Sequence, residues 1–330
     1  MELIWQGGIA FIIWLQGLGS WLEIPMKFFS FLGMEEFFLL ALPVIYWSVD
    51  ANTGLRFGVI LLITGGLKDI LKLAFHVPRP YWFSTQVKAL AFEPSFGVPS
   101  GHALMAVGLW GMAASLFKRP WAWAAAVFII FMIGVSRLYL AVHFPHDVLL
   151  GWLLGALVLW IFLRLWDAVA SWAKRKSLGQ QVGLAFAFSM VMLVMGVIAF
   201  GSLRNWVMPA AWMENARQAG LDALPAPVTL DGVITSSGVF FGMLTGLAWM
   251  NSRGAYTADG GFWQRLMRLL PGLAGILILY LGLRAIFPRG DAFIPYVLRY
   301  LRFATIGLWV SAGAPWLFLK LKLARTFKPE

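Results

Sequence analysis

KLAFHVPRP (72–80), PSGH (99–102) and SRLYLAVHFPHD (136–147) are the three clusters around which this chain reads. Each falls where an apolar run of helical length begins or ends. Lys72 lies near the end of residues 55–75; Pro99-Ser100-Gly101-His102 opens a run to Phe117; Ser136 and Arg137 close residues 121–139; His143 and Asp147 stand at the start of a run to about Trp166. Pro78 and Pro80 end the first of these runs, because proline brings no amide donor and its ring collides with the preceding turn. A helix entered through Pro, Ser and Gly exposes its first amide groups and the positive end of its dipole, a setting that favours an anion.

Working outward, further apolar runs cover residues 3–22, 34–49, 181–201, 232–250, 266–286 and roughly 300–319. The first is interrupted by Gln6 and Gln16, which leaves open whether it spans a membrane or lies in its interface, and Asp50-Ala51-Asn52-Thr53-Gly54 reads as a polar turn. Runs of about 20 apolar residues suit a hydrocarbon core of about 30 Å. With 60% hydrophobic and 12% charged residues and a mean hydropathy of +0.78, a soluble globular domain is excluded. The expected fold is all-α: a polytopic transmembrane bundle of about ten helices. The net charge of +11 comes from basic residues scattered at the ends of apolar runs, not from one soluble stripe, so nucleic acid is not an expected partner. The absence of cysteine excludes disulfides, thiolate metal sites and a cysteine nucleophile. The apolar start lacks an early Lys/Arg cluster and a clear cleavage site, and is read as retained.

Following the runs back and forth places Lys72, Arg79, His102, Arg137, His143 and Asp147 on one side of the membrane. The turns at Arg56, Lys118-Arg119 and Lys174-Arg175-Lys176 fall on the other, with a basic tail of Lys320, Lys322, Arg325 and Lys328. The positive-inside rule makes that second side cytoplasmic. The expected location is therefore a bacterial inner or plasma membrane with the clusters facing the periplasm or exterior. Lys68, Arg284, Arg299 and Arg302 read as interfacial anchors, and His76 and His146 as solvated helix-end residues. The glycines Gly238, Gly242 and Gly246, and Gly151 and Gly155, lie four apart and read as close helix crossings. A connection of about thirty residues holding Pro209, Pro225 and Pro227 either caps the clusters or merely joins two helices.

The chemistry of the clusters is that of phosphate. Phosphoryl transfer loads charge onto three equatorial oxygens, so several fixed cations and N–H donors must surround them. Lys72, Arg79 and Arg137 supply cations, and Ser100 and the Gly101 backbone neutral donors. His102, beside the anion-favouring helix start, suits the acid that protonates a leaving alkoxide. His143, with Asp147 four residues on to hold one ring nitrogen, suits an in-line nucleophile. Asp147 is the one acid the sequence places near the two histidines, too few for a carboxylate-held metal; no metal and no cofactor are expected.

Lys72-x6-Arg79-Pro80, Pro99-Ser100-Gly101-His102 and Ser136-Arg137-x5-His143-x3-Asp147 resemble the three signature motifs of the type 2 phosphatidic acid phosphatase superfamily, matching every signature position. The resemblance implies a metal-independent membrane phosphatase that forms a phosphohistidine on His143. It implies His102 as acid, Asp147 as the group orienting His143, and Lys72, Arg79, Ser100, Gly101 and Arg137 as phosphate ligands. It further implies a six-helix phosphatase core over residues 1–175, with 176–330 adding four helices beyond the six-helix members. The expected substrates are lipid phosphates or diphosphates, such as a polyprenyl diphosphate, phosphatidate or long-chain-base phosphate. A lipid phosphotransferase sharing the intermediate, and a non-catalytic anion-binding or transport protein, are the alternatives.

Overall fold

Inside a bilayer every backbone amide and carbonyl must find its partner within the protein, so long apolar runs fold as helices. The computed structural model describes residues 2–221 and 226–326, apart from the side chains of Glu36, Leu39 and Leu40; Pro225 and Lys328 lie outside the described residues. The helices are α1 (Glu2–Gln16), α2 (Glu23–Phe31), α3 (Glu35–Val44), α4 (Ala51–Phe75), α5 (Pro80–Phe83), α6 (Gly101–Phe117) and α7 (Pro120–Tyr139). They continue as α8 (Pro145–Lys174), α9 (Leu178–Gly201), α10 (Ala210–Gln218), α11 (Asp231–Asn251), α12 (Phe262–Ile286), α13 (Phe293–Leu308) and α14 (Ala314–Lys320). The only strands among the described residues are the two-residue pair Tyr256–Thr257 and Arg325–Thr326, so the chain is all-α as its patterning predicts.

Five helices, α7, α8, α9, α11 and α12, are each long and apolar enough to cross a membrane. Three of the other expected spans are broken. Residues 3–22 do not form one straight helix: α1 and the segment Ser20–Phe31 meet at 92°, and Gly19 takes a backbone φ of 120° at the break. Residues 34–49 become α3 followed by a wide π-turn at Ile45–Val49, and a second π-turn at Trp309–Gly313 separates α13 from α14. The polar stretch 50–54 is the start of α4 and not a separate turn, because the Asp50 carboxylate accepts a hydrogen bond from the Thr53 amide (2.7 Å) and caps the helix.

The chain divides into two compact units. One comprises Met1–Phe37, Leu67–Phe162 and Gly196–Thr229. Here α6 packs against α8 at a close crossing, where a β-carbon on Gly151 would stand 2.7 Å from the Ser100 carbonyl oxygen and 2.9 Å from the Ala103 β-carbon. The glycine spacing therefore marks helix contact, and the contact sits at the entrance of α6, where the second motif lies. In the same unit the connection holding α10 does more than join two helices. Asn215 donates to the Trp82 and Phe83 carbonyls of α5 (3.0 and 3.1 Å), and Trp206 packs edge-on against Phe96 with ring centres 5.1 Å apart.

The other unit comprises Phe38–Gly66, Leu163–Met195 and Leu230–Glu330. Its centre is α11 against α13. A side chain on Gly242 would overlap the Ala304 carbonyl, so only glycine lets the two backbones approach this closely. Arg268, fully buried, donates to the carbonyls of Trp47 (2.8 Å), Ala258 (2.5 Å) and Leu323 (2.8 Å), tying α12 to the first π-turn and to the chain after α14.

Candidate active site

Helix ends deliver the motif residues of the first unit. Lys72 lies in the last turn of α4, which ends at Phe75 with His76 in the left-handed region (φ 41°). His102 is the second residue of α6, Arg137 lies in the last turn of α7, and Asp147 in the first turn of α8 with His143 just ahead of it. All are buried or nearly so, Arg79, Ser100 and Asp147 completely.

The His143 ring is oriented from both sides. Its Nδ1 lies 3.2 Å from Asp147 Oδ2, which also accepts the Phe144 amide at 2.8 Å. Nδ1 is thus the protonated nitrogen, and Nε2 keeps its lone pair. Nε2 faces Arg79 Nη1 at 3.4 Å. Burial pushes the His143 imidazole well below its ordinary value, and the neighbouring cations Arg79 and Arg137 push the same way, so the ring is neutral at neutral pH. A neutral imidazole with its free lone pair turned toward a cation cluster is a nucleophile for an anionic electrophile.

Arg79 is a structural centre of that cluster. Its Nε donates to Ser95 O (2.6 Å), Nη1 to Val142 O (2.8 Å), and Nη2 to Ser95 Oγ and Phe96 O (both 3.1 Å). With Nη1 also facing His143, the guanidinium donors are engaged within the protein. It offers a phosphate its buried charge rather than a free donor fork. Lys72 donates to the same Ser95 hydroxyl (2.7 Å). Arg137 is held by Ser30 Oγ and by Glu93 Oε1, and its Nε is buried without a hydrogen-bond partner. His102 presents a buried Nε2 that is likewise unpartnered. The Ser100 hydroxyl caps α6 by accepting the Ala103 amide (3.4 Å), and Gly101 is the first residue of that helix.

Sequence reasoning missed Glu93. Its carboxylate pairs with Arg137, lies 3.8 Å from Arg79 Nη2 and 4.0 Å from His102 Nδ1, and so occupies the middle of the anion pocket. Burial alone would raise its titration, but Arg137, Arg79 and His102 outweigh that and hold it well below the usual carboxylate range. Asp147 is therefore not the only acid beside the two histidines. Three cations, Lys72, Arg79 and Arg137, outnumber the two carboxylates beside them, Glu93 and Asp147, so the site keeps an excess of positive charge for an anion. Ser95 and Ser30, which hold the cations in place, were also not legible. Two neighbouring expectations change and a third holds. Lys68 is no interfacial anchor: its ammonium pairs with Glu35 (3.0 Å) and its stem lies against Gly101. His146 comes within 3.1 Å of Asp147 Oδ1 without the alignment of a hydrogen bond, and stacks on Phe144. His76 is exposed, as expected of a solvated helix-end residue.

Convergent cations and an oriented imidazole inside an all-α membrane protein define a class, the membrane-embedded phosphoric ester hydrolases. Comparison places the chain further. It belongs to the type 2 phosphatidic acid phosphatase superfamily: residues 53–170 match the family described as "PAP2 superfamily", and residues 234–326 match "PAP2 superfamily phosphatase, transmembrane extension". Among curated relatives it is 27% identical to glucose-6-phosphatase 3 of Bos taurus over 96% of each chain. It is 33% identical to a probable sphingosine-1-phosphate phosphatase of Dictyostelium discoideum, over 40% of this chain and 36% of that one. It is 28% identical to an undecaprenyl-diphosphatase of Sulfolobus acidocaldarius, over 40% of this chain and 64% of that one.

Proposed function

We propose that the chain hydrolyses phosphate esters of membrane lipids through a phosphohistidine on His143, without a metal. The observation that carries this reading is the Glu93 carboxylate, an anion already seated among Lys72, Arg79 and Arg137 with His102 beside it and His143 behind Arg79. A substrate phosphate takes that seat. His143 Nε2 attacks phosphorus, the bond from phosphorus to the ester oxygen breaks, and His102 gives its proton to the departing alcohol. Water, losing a proton to His102, then attacks phosphorus and breaks the bond to His143, releasing inorganic phosphate and restoring both rings. Asp147 holds Nδ1–H throughout and stabilises the positive ring. The cations stabilise the equatorial oxygens in the transition state. Passing the phosphoryl group to a second lipid would use the same first half, so the acceptor alone separates hydrolase from transferase.

A second reading, hydrolysis of a sugar phosphate, is favoured by the match to glucose-6-phosphatase 3 along nearly the whole of both chains. Phosphate release from purified protein against phosphatidate, a long-chain-base phosphate, a polyprenyl diphosphate and glucose 6-phosphate separates the readings, with His143→Ala as background. Turnover of the lipid esters at least about tenfold above the sugar phosphate in kcat/KM is expected; the reverse order selects the sugar reading, and release unchanged in His143→Ala rejects both. The basic turns at Lys118-Arg119 and Lys174-Arg175-Lys176 support a site on the non-cytoplasmic face. The named relatives come from cattle, a social amoeba and an archaeon and do not support a bacterial inner membrane.

A further inference from the structure

The second unit holds a cation cluster that the reaction does not use. Between the end of α12 and the first turns of α13 lies a cavity of about 310 Å³ whose wall includes Arg284, Arg289, Arg299 and Arg302 with Asp231 and Asp291. Four guanidinium groups and two carboxylates leave 4 − 2 = 2 positive charges. The carboxylates are already engaged: Asp231 pairs with Arg299 at 2.8 Å, and Asp291 accepts the Tyr296 hydroxyl at 3.2 Å. Arg302 has no such partner among the described residues. Its guanidinium lies 4.8 Å from the Phe303 ring centre and 5.6 Å from that of Tyr280, and its Nε is buried and unbonded.

Isolated basic residues at a membrane edge extend separately into water. These four instead line one cavity, two of them half-buried. At about 1.5 Å per residue, Arg299 and Arg302 stand about 9 and 14 Å along α13 from its start, within the residues that match the transmembrane extension. Arg302, half-buried against two aromatic rings with its Nε unbonded, marks a ligand or ion site before it marks an anchor. The surface beside the cavity is apolar and exposed: Ile286, Phe293, Ile294 and Leu301 present themselves outward from α12 and α13. A polar cavity of excess positive charge bordered by apolar surface fits a ligand with a phosphate head and an acyl chain.

We propose that this cavity binds the phosphate of an anionic phospholipid, with Arg302 donating from its half-buried guanidinium and Arg284 and Arg289 closing over the head. Arginine suits the role because its planar donor fork pairs with two phosphate oxygens at once. The site is separate from the catalytic reading and does not depend on it.

The test uses the full-length protein purified in a non-ionic detergent. Lipid retention is followed by native mass spectrometry during titration with phosphatidylglycerol or phosphatidylcholine, and melting is followed with added inorganic phosphate. Arg302→Gln and the double variant Arg284→Gln/Arg289→Gln are each expected to weaken phosphatidylglycerol retention about tenfold, while phosphatidylcholine is held weakly by every form. A rise in melting temperature with inorganic phosphate alone, lost in the same variants, supports the site with free phosphate as its occupant. Equal retention of the two lipids, or retention indifferent to both variants, overturns the proposal. If Arg302→Gln melts early without lipid, the exposed pair Arg284 and Arg289 decides the outcome alone.

Discussion

Glu93 sets a protein carboxylate where the reaction needs a phosphate, and two consequences follow from its charge. Removing that charge leaves three buried cations with less compensation, so Glu93→Gln binds vanadate and inorganic phosphate more tightly, by about tenfold in inhibition constant; an unchanged or weaker constant would place the carboxylate outside the anion seat. His143 offers a different readout. Because burial and the neighbouring cations lower its titration, it stays neutral while a free imidazole would gain a proton near pH 6.5. The acid limb of kcat/KM, corrected for the substrate's own ionisation, therefore falls below about pH 6.5. A limb at or above that value contradicts the neutral nucleophile. His143→Ala is expected to abolish phosphate release, and Asp147→Asn to lower kcat by about 10²- to 10⁴-fold with KM little changed, because the wrong ring nitrogen then carries the proton. Of these residues the sequence displays those in fixed local spacing: His143 and Asp147, one helical turn apart, and His102 behind its capping serine. It does not display Glu93, Ser95 or Ser30, whose positions come from the path of a loop and from the packing of α2 against α7, and no periodicity records either.

Elements hold the site by close approach. Gly151 lets α8 lie on the first turn of α6, so Gly151→Leu forces its side chain into the Ser100 carbonyl and the Ala103 methyl. Overpacking of this kind costs about 1–3 kcal/mol. Because the displaced turn carries His102, kcat is expected to fall together with the melting temperature; a melting loss with full activity would separate the crossing from the site. The α10 segment supports the first motif from outside. Asn215→Ala removes both donors to the α5 carbonyls, at about 1–3 kcal/mol if those carbonyls stay unpaired, and loosens the stretch that positions Arg79. Helix crossings were legible because glycine at every fourth position has few other purposes in an apolar run. The docking of α10 was not, since Asn215 is an ordinary polar residue until the fold brings Trp82 and Phe83 to it. The break at Gly17–Gly19 was half legible: the glycines and Gln16 interrupt the run, but the 92° turn depends on where α1 and α2 find their contacts.

For the whole molecule, long apolar runs fixed the class of fold because a bilayer leaves the backbone one choice, and the exceptions sit where residues depart from that logic. Residues 34–49 and 300–319 carry π-turns within apolar runs, and the hydropathy pattern contains no sign of them. The arginines of α12 and α13 were legible as charges but not as neighbours, for convergence on one cavity is a property of three dimensions. The central claim remains chemical, that His143 bonds to phosphorus. The direct measurement is rapid quenching of the purified protein with a ³²P-labelled phosphate ester, followed by digestion and mapping of the label. The account predicts an acid-labile, base-stable phosphoryl group on the peptide holding His143 and no such label in His143→Ala. Full turnover with no label on that peptide, or label on a different residue, would contradict it.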